Sequence, residues 1–270
     1  MSELDLLRVL LLLSMVIGPL GTRRLFDAPA WHRAAHVGAL LCATVGMFLV
    51  PIMSVGWLLF TATNFGLFLW SRRASLVSPT TIATAVPFLF SNIAAVWVVG
   101  GSNGLHLLGY GADFSYYAAL HGNVLGWIVL GALAILADQL GPQRRIYLGS
   151  MFVCLGSFLL IAFGIDQLRA LKPFGVIGLS VALAGCQLVF LRSVWSRNRR
   201  AFLAGCVSFA CLVLTMALAW RNEFVTPIFQ GIAGIRGMVS VHGLLNAVVA
   251  GPSFLLAVSL DTQPRGPRGV

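Results

Sequence analysis

Apolar runs of about 20 residues follow one another along the chain, and most basic residues lie in the short segments between them. A bilayer core is about 30 Å thick, so an α-helix needs roughly 20 apolar residues to cross it. Hydrophobic residues make up 59% of the 270-residue chain, and charged residues make up only 10%. Because lipid offers the backbone no hydrogen bonds, apolar runs that cross it must be helical. The sequence therefore predicts an all-α fold, a polytopic transmembrane helical bundle.

Nine helices are predicted, at residues 4–20, 32–50, 54–70, 79–100, 114–137, 146–164, 174–191, 201–220 and 237–259. Pro51 either ends the second helix or kinks a longer span, because proline removes a helical hydrogen bond; eight helices are the alternative. We interpret residues 1–260 as one transmembrane domain and 261–270 as a short polar, basic tail. No small-residue cleavage site follows the first apolar run, which is expected to be a retained span.

The distribution of Lys and Arg predicts the orientation of the helices. Thirteen of the 18 basic residues fall in the loops after helices one, three, five and seven and in the C-terminal tail. The other five fall at the N-terminus and in the remaining loops. Membrane proteins keep their positively charged loops on the cytoplasmic side. We therefore expect the N-terminus outside and the C-terminus inside.

The net charge of +10 does not indicate a nucleic-acid partner, because the arginines occur as short clusters at the ends of apolar runs. That is the flank pattern of a multispanning protein whose arginines meet anionic lipid head groups. The five cysteines all lie within apolar runs and form no CxxC pair. We expect a lipid bilayer as a partner, no nucleic acid, no disulfide framework and no structural zinc site.

Two similar segments, SYYAALHGNVLGW and MVSVHGLLNAVV, place a histidine, a glycine and an asparagine inside predicted helices. In the first segment and just before it, Asp113, Tyr117 and His121 follow one another at intervals of four residues. In the second, His242 and Asn246 have the same spacing. Residues four apart lie on one face of a helix. A polar face inside lipid must turn towards the interior of the bundle or towards water.

The predicted topology puts several polar side chains at similar depths. His121 lies eight residues inside helix five, about 12 Å below the outer surface at the rise of an α-helix. His242 lies a few residues inside helix nine, and Asn92, Trp97 and Asn246 fall in the same band. We therefore predict one polar cavity near the outer surface, with His121 and His242 on facing walls. The alternative is that these residues only form hydrogen bonds between helices.

Other polar residues are expected to have plainer roles. His32 and His36 lie at the predicted start of helix two and should anchor it at the membrane interface. His106 is expected in a solvated loop, and Glu223 on a solvated flank after helix eight. Asn64 lies in the middle of helix three, where a hydrogen bond between helices is the expected role.

The segment MVSVHGLLNAVV resembles the Met-x-x-x-His-Gly-x-x-Asn-Ala stretch of the YndJ-like family of bacterial integral membrane proteins. FSYYAALHGNVLGW resembles that family's other histidine segment, so the resemblance covers residues 113–131 and 237–251, with the helix ending in AAVWVVGG as a third piece. It implies a membrane site shared with the family and a multi-pass protein of the bacterial inner (cytoplasmic) membrane. The family has His-Phe-His-Tyr where this chain has Ala-Leu-His-Gly, so one candidate metal-ligating histidine is missing.

We interpret the two histidines as a general acid and a general base, because an imidazole accepts or donates a proton near neutral pH. The predicted catalytic residues are His121, His242 and Asp113, with Asp113 orienting His121 directly or through Tyr117. The predicted substrate-binding residues, whose amides would stabilise charge on oxygen or whose rings would contact the substrate, are Asn92, Trp97, Tyr117, Asn123 and Asn246. Such groups suit isomerisation, cyclisation, or epoxide opening or hydration of an apolar polyketide- or terpenoid-like molecule, with no cofactor and no metal.

Two other functions fit the same residues. A transporter would use them as a proton relay across the membrane. A haem protein would use His121 and His242 as axial ligands from opposing helices. The chain has no Asp-rich diphosphate motif, which argues against prenyl transfer, and it has neither a nucleophile elbow nor an HExxH sequence.

The predicted orientation can be tested by labelling single cysteines in intact cells. In a background without the native cysteines, a cysteine at position 103 should react with a membrane-impermeant thiol reagent. Cysteines at positions 72 and 198 should react only after the membrane is opened. Labelling of position 198 from outside sealed cells would contradict the orientation and the depths inferred from it.

Overall fold

The computed structural model describes residues 2–139, 141–225 and 237–262 of the chain. Within these ranges the chain forms nine long helices and no strand, which confirms the all-α class and the predicted number of helices. The helices, numbered in chain order, are α1 (Glu3–Thr22), α2 (His32–Phe48), α3 (Val55–Ser71), α4 (Pro79–Ser102), α5 (Ala112–Asp138), α6 (Arg144–Asp166), α7 (Leu171–Val194), α8 (Arg199–Phe224) and α9 (Met238–Asp261). Most of the predicted basic tail lies outside the described residues.

Eight of these helices have the length and the apolar composition to cross a bilayer, and α2, with 17 residues, is the exception. Helix α3 reaches this length together with the turn before it, as the 21-residue span Pro51–Ser71. The chain is therefore a multi-pass membrane protein. The second and third predicted helices are separate, because the chain leaves helical geometry at Val50 and Pro51–Ser54 forms a single 3-10 turn. This turn presses the backbone of Ser54 against Gly46 of α2, where a larger side chain would collide.

Helix α5 lies at the centre of the bundle, in contact with α1, α4, α6 and α9. Gly122 and Gly126 allow it to approach α4 closely, since a side chain at either position would collide with Ala94 or Phe90. Small residues at a crossing permit this kind of helix packing in membranes. The central position of α5 places its polar side chains inside protein instead of in lipid.

The five cysteines all lie within helices of the bundle. All five are free thiols, and Cys154 and Cys186 are buried between α6 and α7. The described residues contain no disulfide, and the ends of the bundle are joined by ion pairs. Arg72 contacts Asp138 at 2.7 Å at the ends of α3 and α5.

The histidines at the start of α2 satisfy polar groups inside the bundle. Pro19 lies within α1 and has no N–H, so the carbonyl of Met15 lacks its usual helical donor. Nε2 of His36 lies 2.9 Å from that oxygen and must donate, because a carbonyl only accepts. Nε2 of His32 lies 2.7 Å from Oδ1 of Asn64, which joins α2 to α3.

The prediction that His32 and His36 anchor the membrane interface is therefore wrong. Their exposed fractions are 2% and 8%, and both rings pack against Phe60. A histidine turned towards the head groups would leave its buried partner unsatisfied, which costs about 1–3 kcal/mol. Asn64 forms the expected hydrogen bond between helices, with His32 as its partner.

We expect His36→Ala to lower the free energy of unfolding by about 1–3 kcal/mol, because the Met15 carbonyl is then buried without a donor. Pro19→Ala supplies a backbone N–H for the same carbonyl, so it should recover part of this loss. Equilibrium unfolding of the four proteins in detergent forms a double-mutant cycle. An equal effect of His36→Ala in both backgrounds would contradict the assigned bond.

Candidate functional site

The backbone of α5 and α9 departs from α-helical winding at the two histidines. Gly122–Val129, directly after His121, winds as a π-helix. In α9, π-helical segments span Met238–Gly243, which contains His242, and Leu245–Ala250. Among the described residues, π-helical winding occurs only in these two helices. Segments of this kind are rare and are frequent at functional sites.

His121 and His242 lie next to each other in the interior of the bundle. Their ring centroids are 6.5 Å apart and their planes are inclined by 27°. The ring of Tyr117 continues the row, with its centroid 5.4 Å from that of His121. The convergence of the two histidines, predicted from their depth in the membrane, is therefore confirmed.

Each imidazole is held through Nδ1 by a main-chain carbonyl. Nδ1 of His121 lies 2.9 Å from the carbonyl oxygen of Tyr117, and Nδ1 of His242 lies 2.9 Å from that of Thr215 on α8. A carbonyl oxygen only accepts, so both Nδ1 atoms carry a proton. In a neutral ring this leaves a lone pair on Nε2. Neither Nε2 atom has a hydrogen-bond partner within the described ranges.

Both rings line a cavity of about 950 Å³ between α4, α5, α6, α7, α8 and α9. This volume lies within the range of small-molecule sites. Most of the wall is apolar and not polar as predicted, with side chains such as Phe90, Phe158, Leu179 and Leu212. The predicted site residues that line the cavity are Trp97, Asp113, Tyr117, His121, His242 and Asn246. The geometry thus gathers six of the eight predicted residues around one space.

Thr215 connects two polar groups of this cavity. Its carbonyl accepts from His242, and its hydroxyl shares one proton between Oδ1 of Asn246 at 3.1 Å and the Leu212 carbonyl at 3.0 Å. Since Oδ1 accepts that bond, the amide nitrogen is the donor that Asn246 has left to offer in the cavity. Thr215 is itself fully buried. One threonine therefore sets the positions of an imidazole and of an amide.

Charged side chains line the end of the cavity where α5, α7 and α9 begin, which we call the rim. Lys172 of α7 pairs with Glu223 of α8, whose side chain is only 13% exposed. The solvated flank predicted for Glu223 is therefore wrong, because the ion pair holds it against the cavity. The Tyr110 hydroxyl donates to Asp166 at 3.2 Å. Loss of water around that hydroxyl and its bond to the carboxylate raise the pKa of Tyr110 above its usual range.

Asp113 lies too far from His121 to orient it by direct contact. The two residues are eight positions apart, about 12 Å along a helix, and Nδ1 of His121 is already bonded to the Tyr117 carbonyl. Asp113 is exposed at the rim. Trp97 also lies at this end, where its ring meets that of Phe114 edge-on at 5.7 Å.

Asn92 and Asn123 are the predicted site residues that do not line the cavity. Asn92 donates to the carbonyls of Phe88 at 2.8 Å and Thr61 at 3.2 Å, which joins α4 to α3. Asn123 follows His121 by two residues, about 200° around a helix, and is fully buried on another face of α5. Neither polar atom of its amide has a partner among the described residues. The predicted depth groups both asparagines with the histidines, but their side chains lie away from the cavity.

The sequence interpretation missed Gln187 and Lys172 as cavity residues, and it missed Thr215 as the residue that holds His242 and Asn246. Gln187 lines the inner end of the cavity and bonds to Ser208 on α8. A lone threonine in CLVLTMALAW and a lone glutamine in VALAGCQLVF are signals of interior contacts, because polar groups in spans turn away from lipid. Lys172 carried no such signal, since a lysine at the end of a membrane helix is ordinary.

His121 and His242 are the side chains that would bind a metal ion or haem in this cavity. No group of three or more His, Cys, Asp or Glu side chains that could hold a metal ion occurs in the described part of the chain. The pair offers two nitrogen ligands, whereas zinc sites use three or four protein ligands.

A protein-family model matches most of the chain. It is described as YndJ-like protein and matches residues 7–250, a range that contains both histidines and both π-helical regions. No curated protein and no solved structure matches the chain. The resemblance seen in the two histidine segments therefore extends over almost the whole bundle.

We expect Thr215→Val to lower the free energy of unfolding by about 0.5–1.7 kcal/mol, the range of hydrogen bonds between membrane helices. In NMR spectra of the protein in lipid, the side-chain amide signal of Asn246 should shift, while the Nδ1–H signal of His242, held by the backbone, should persist. Thr63→Val is the control, because that exposed hydroxyl bonds only within its own helix. An unchanged Asn246 signal would contradict the assigned bond.

Proposed function

The chain belongs to the YndJ-like family, and we propose that it is an integral membrane enzyme in which His121 and His242 act as a general acid and a general base. The observation that carries the proposal is the geometry of the pair. Two imidazoles with centroids 6.5 Å apart are each anchored through Nδ1 and line one cavity. Functional pairs of this kind transfer protons to and from a molecule held between or beside them.

The Nδ1 anchors allow each ring to change its protonation state without moving. Nδ1 carries a proton in both the neutral imidazole and the imidazolium ion, so its bond to a carbonyl persists in both. The proton is gained or lost at Nε2, the nitrogen with no partner among the described residues. One ring in the imidazolium form donates through Nε2, and the neutral ring accepts. The roles reverse after each turnover, or protons exchange through the wet rim.

The proposed substrate is an apolar small molecule, polyketide- or terpenoid-like, because the wall of the cavity is largely apolar and its volume is about 950 Å³. The proposed reaction is isomerisation, cyclisation, or epoxide opening or hydration. In each, one Nε2 removes a proton from carbon, hydroxyl or water, and the other delivers a proton to the substrate. The amide nitrogen of Asn246 is positioned to stabilise negative charge on a substrate oxygen.

The remaining cavity residues have supporting roles in this proposal. Tyr117 positions His121 through its carbonyl and contacts the substrate through its ring. Trp97 and Asp113 contact the substrate at the rim. Asn92 and Asn123 keep no part in binding, because their side chains lie away from the cavity.

We propose the bacterial inner membrane as the location, with the N-terminus outside and the C-terminus inside. The family resemblance supports the membrane, and the excess of Lys and Arg on one set of loops supports the orientation. The rim of the cavity then faces outwards, which gives the substrate access from the outer half of the bilayer.

A second candidate is a proton relay in a transporter. The row of rings from Tyr117 through His121 to His242, with centroids 5.4 and 6.5 Å apart, begins below the rim that carries Asp113. A relay requires proton movement without chemical change in a bound molecule. The enzyme and the relay therefore differ in one measurable outcome: only the enzyme converts a lipid-soluble substrate into a product.

We expect His121→Ala and His242→Ala each to reduce turnover about 100-fold or more, the usual contribution of acid–base groups. The purified protein in nanodiscs is incubated with lipid extracts of its host, and products are followed by chromatography and mass spectrometry. Isomerisation and cyclisation change retention at constant mass, whereas hydration adds one water molecule.

His106→Ala is the matched control, because this histidine is exposed in the loop between α4 and α5. It should leave turnover unchanged, while His36→Ala should lower the yield of folded protein but not the activity per folded molecule. Unchanged specific activity in both His121→Ala and His242→Ala would rule out the acid–base pair. If the wild-type protein converts no lipid-soluble molecule, and both His121→Ala and His242→Ala lose a proton flux that the wild type shows, the relay is favoured.

A further inference from the structure

The cavity is long, and its ends differ in chemistry. On α5 its wall runs from Asp113 to Val129, and on α7 from Lys172 to Gln187. Each of these stretches corresponds to about 20 Å along a helix. The rim carries charged and hydrogen-bonding side chains, whereas the opposite half is largely apolar, apart from Gln187 near its end. The space is therefore suited to a molecule with one polar end.

The imidazoles lie near the middle of this length. His121 is eight residues from Asp113 at the rim, about 12 Å along an α-helix, and eight residues from Val129 at the far end. The inner half between the imidazoles and the far end is lined mainly by aliphatic side chains, among them Leu125, Leu179, Leu183 and Leu212. A compact molecule confined to the imidazoles would leave this inner half without contacts.

The charges at the rim do not suit an anionic head group. Among the described residues that line the cavity, Lys172 carries the only positive charge, and Glu223 is paired with it. The rim offers hydrogen-bonding groups instead, including the carboxylate of Asp113 and the Tyr110–Asp166 pair. An uncharged group that can donate a hydrogen bond, such as a hydroxyl, matches these acceptors.

We infer that the substrate is an elongated amphiphile with an uncharged polar end. The polar end binds at the rim, the apolar tail fills the inner half, and the reacting atoms lie about 12 Å from the polar end, beside His121 and His242. The position of the reacting atoms rests on the proposed acid–base function. Binding of the amphiphile does not, and this separates the two ideas experimentally.

Two residues near the far end set the length of tail that fits. Ala250 lies eight residues beyond His242 on α9, and Leu183 lies on the facing wall from α7. Both are almost fully buried. Ala250→Leu should shorten the inner half, and Leu183→Ala should lengthen it. Since the two substitutions act in opposite directions, a general loss of stability cannot imitate both.

The test uses primary n-alkanols of increasing chain length as probes, with the whole protein in nanodiscs. The free aqueous concentration that gives half of the maximal increase in Tm should fall about fourfold with each added methylene. The fall should stop at the chain length that fills the cavity. Ala250→Leu should move this cut-off to shorter alkanols and Leu183→Ala to longer ones.

Ala217→Leu on α8 is the control, because this exposed alanine faces lipid and does not line the cavity; its cut-off should equal that of the wild type. No stabilisation by any alkanol, a fall without a cut-off, or one cut-off in all four proteins would overturn the inference. His121→Ala and His242→Ala should keep the wild-type cut-off. If the cut-off shifts in Ala250→Leu and Leu183→Ala while His121→Ala and His242→Ala keep the turnover of the wild type, only the acid–base pair is refuted.

Discussion

Lipid supplies no hydrogen bonds, so polar groups inside this bundle must find partners within the protein. The consequences extend through the whole structure. Pro19 leaves the Met15 carbonyl without a donor, and His36 supplies one from α2. Asn92 joins α4 to α3 through the Thr61 carbonyl. Pairs of polar groups therefore set the positions of the helices together with packing. Packing alone is less specific in a membrane, because lipid tails are as apolar as the helix surfaces.

The need for hydrogen-bond partners also defines the candidate site, because some polar atoms there are left without a partner among the described residues. His121 and His242 each use Nδ1 to satisfy a carbonyl, and the hydroxyl of Thr215 engages Asn246. What they present in the cavity are the Nε2 atoms and an amide nitrogen. Such groups are costly in lipid unless they meet a ligand or water. A cavity of about 950 Å³ with apolar walls provides the space for that ligand.

The number of helices, their approximate ends and the proximity of the two histidines could be predicted, because they depend on counting residues between charged flanks. The direction of each side chain around its helix could not. Asn123 shares the depth of His121 but lies on another face, in a π-helical segment that no residue pattern indicated. The roles of His36 and Thr215 also escaped prediction, since each depends on which helix lies opposite.

The central claim is that His121 and His242 form one site with Nδ1 anchored and Nε2 available for proton transfer. Solid-state NMR of ¹⁵N-histidine-labelled protein in lipid, with signals assigned by single substitutions, tests it directly. The account predicts a proton on Nδ1 of both rings and a through-space correlation between the two rings. A neutral ring protonated on Nε2 instead, or two histidines without any correlation, would contradict it.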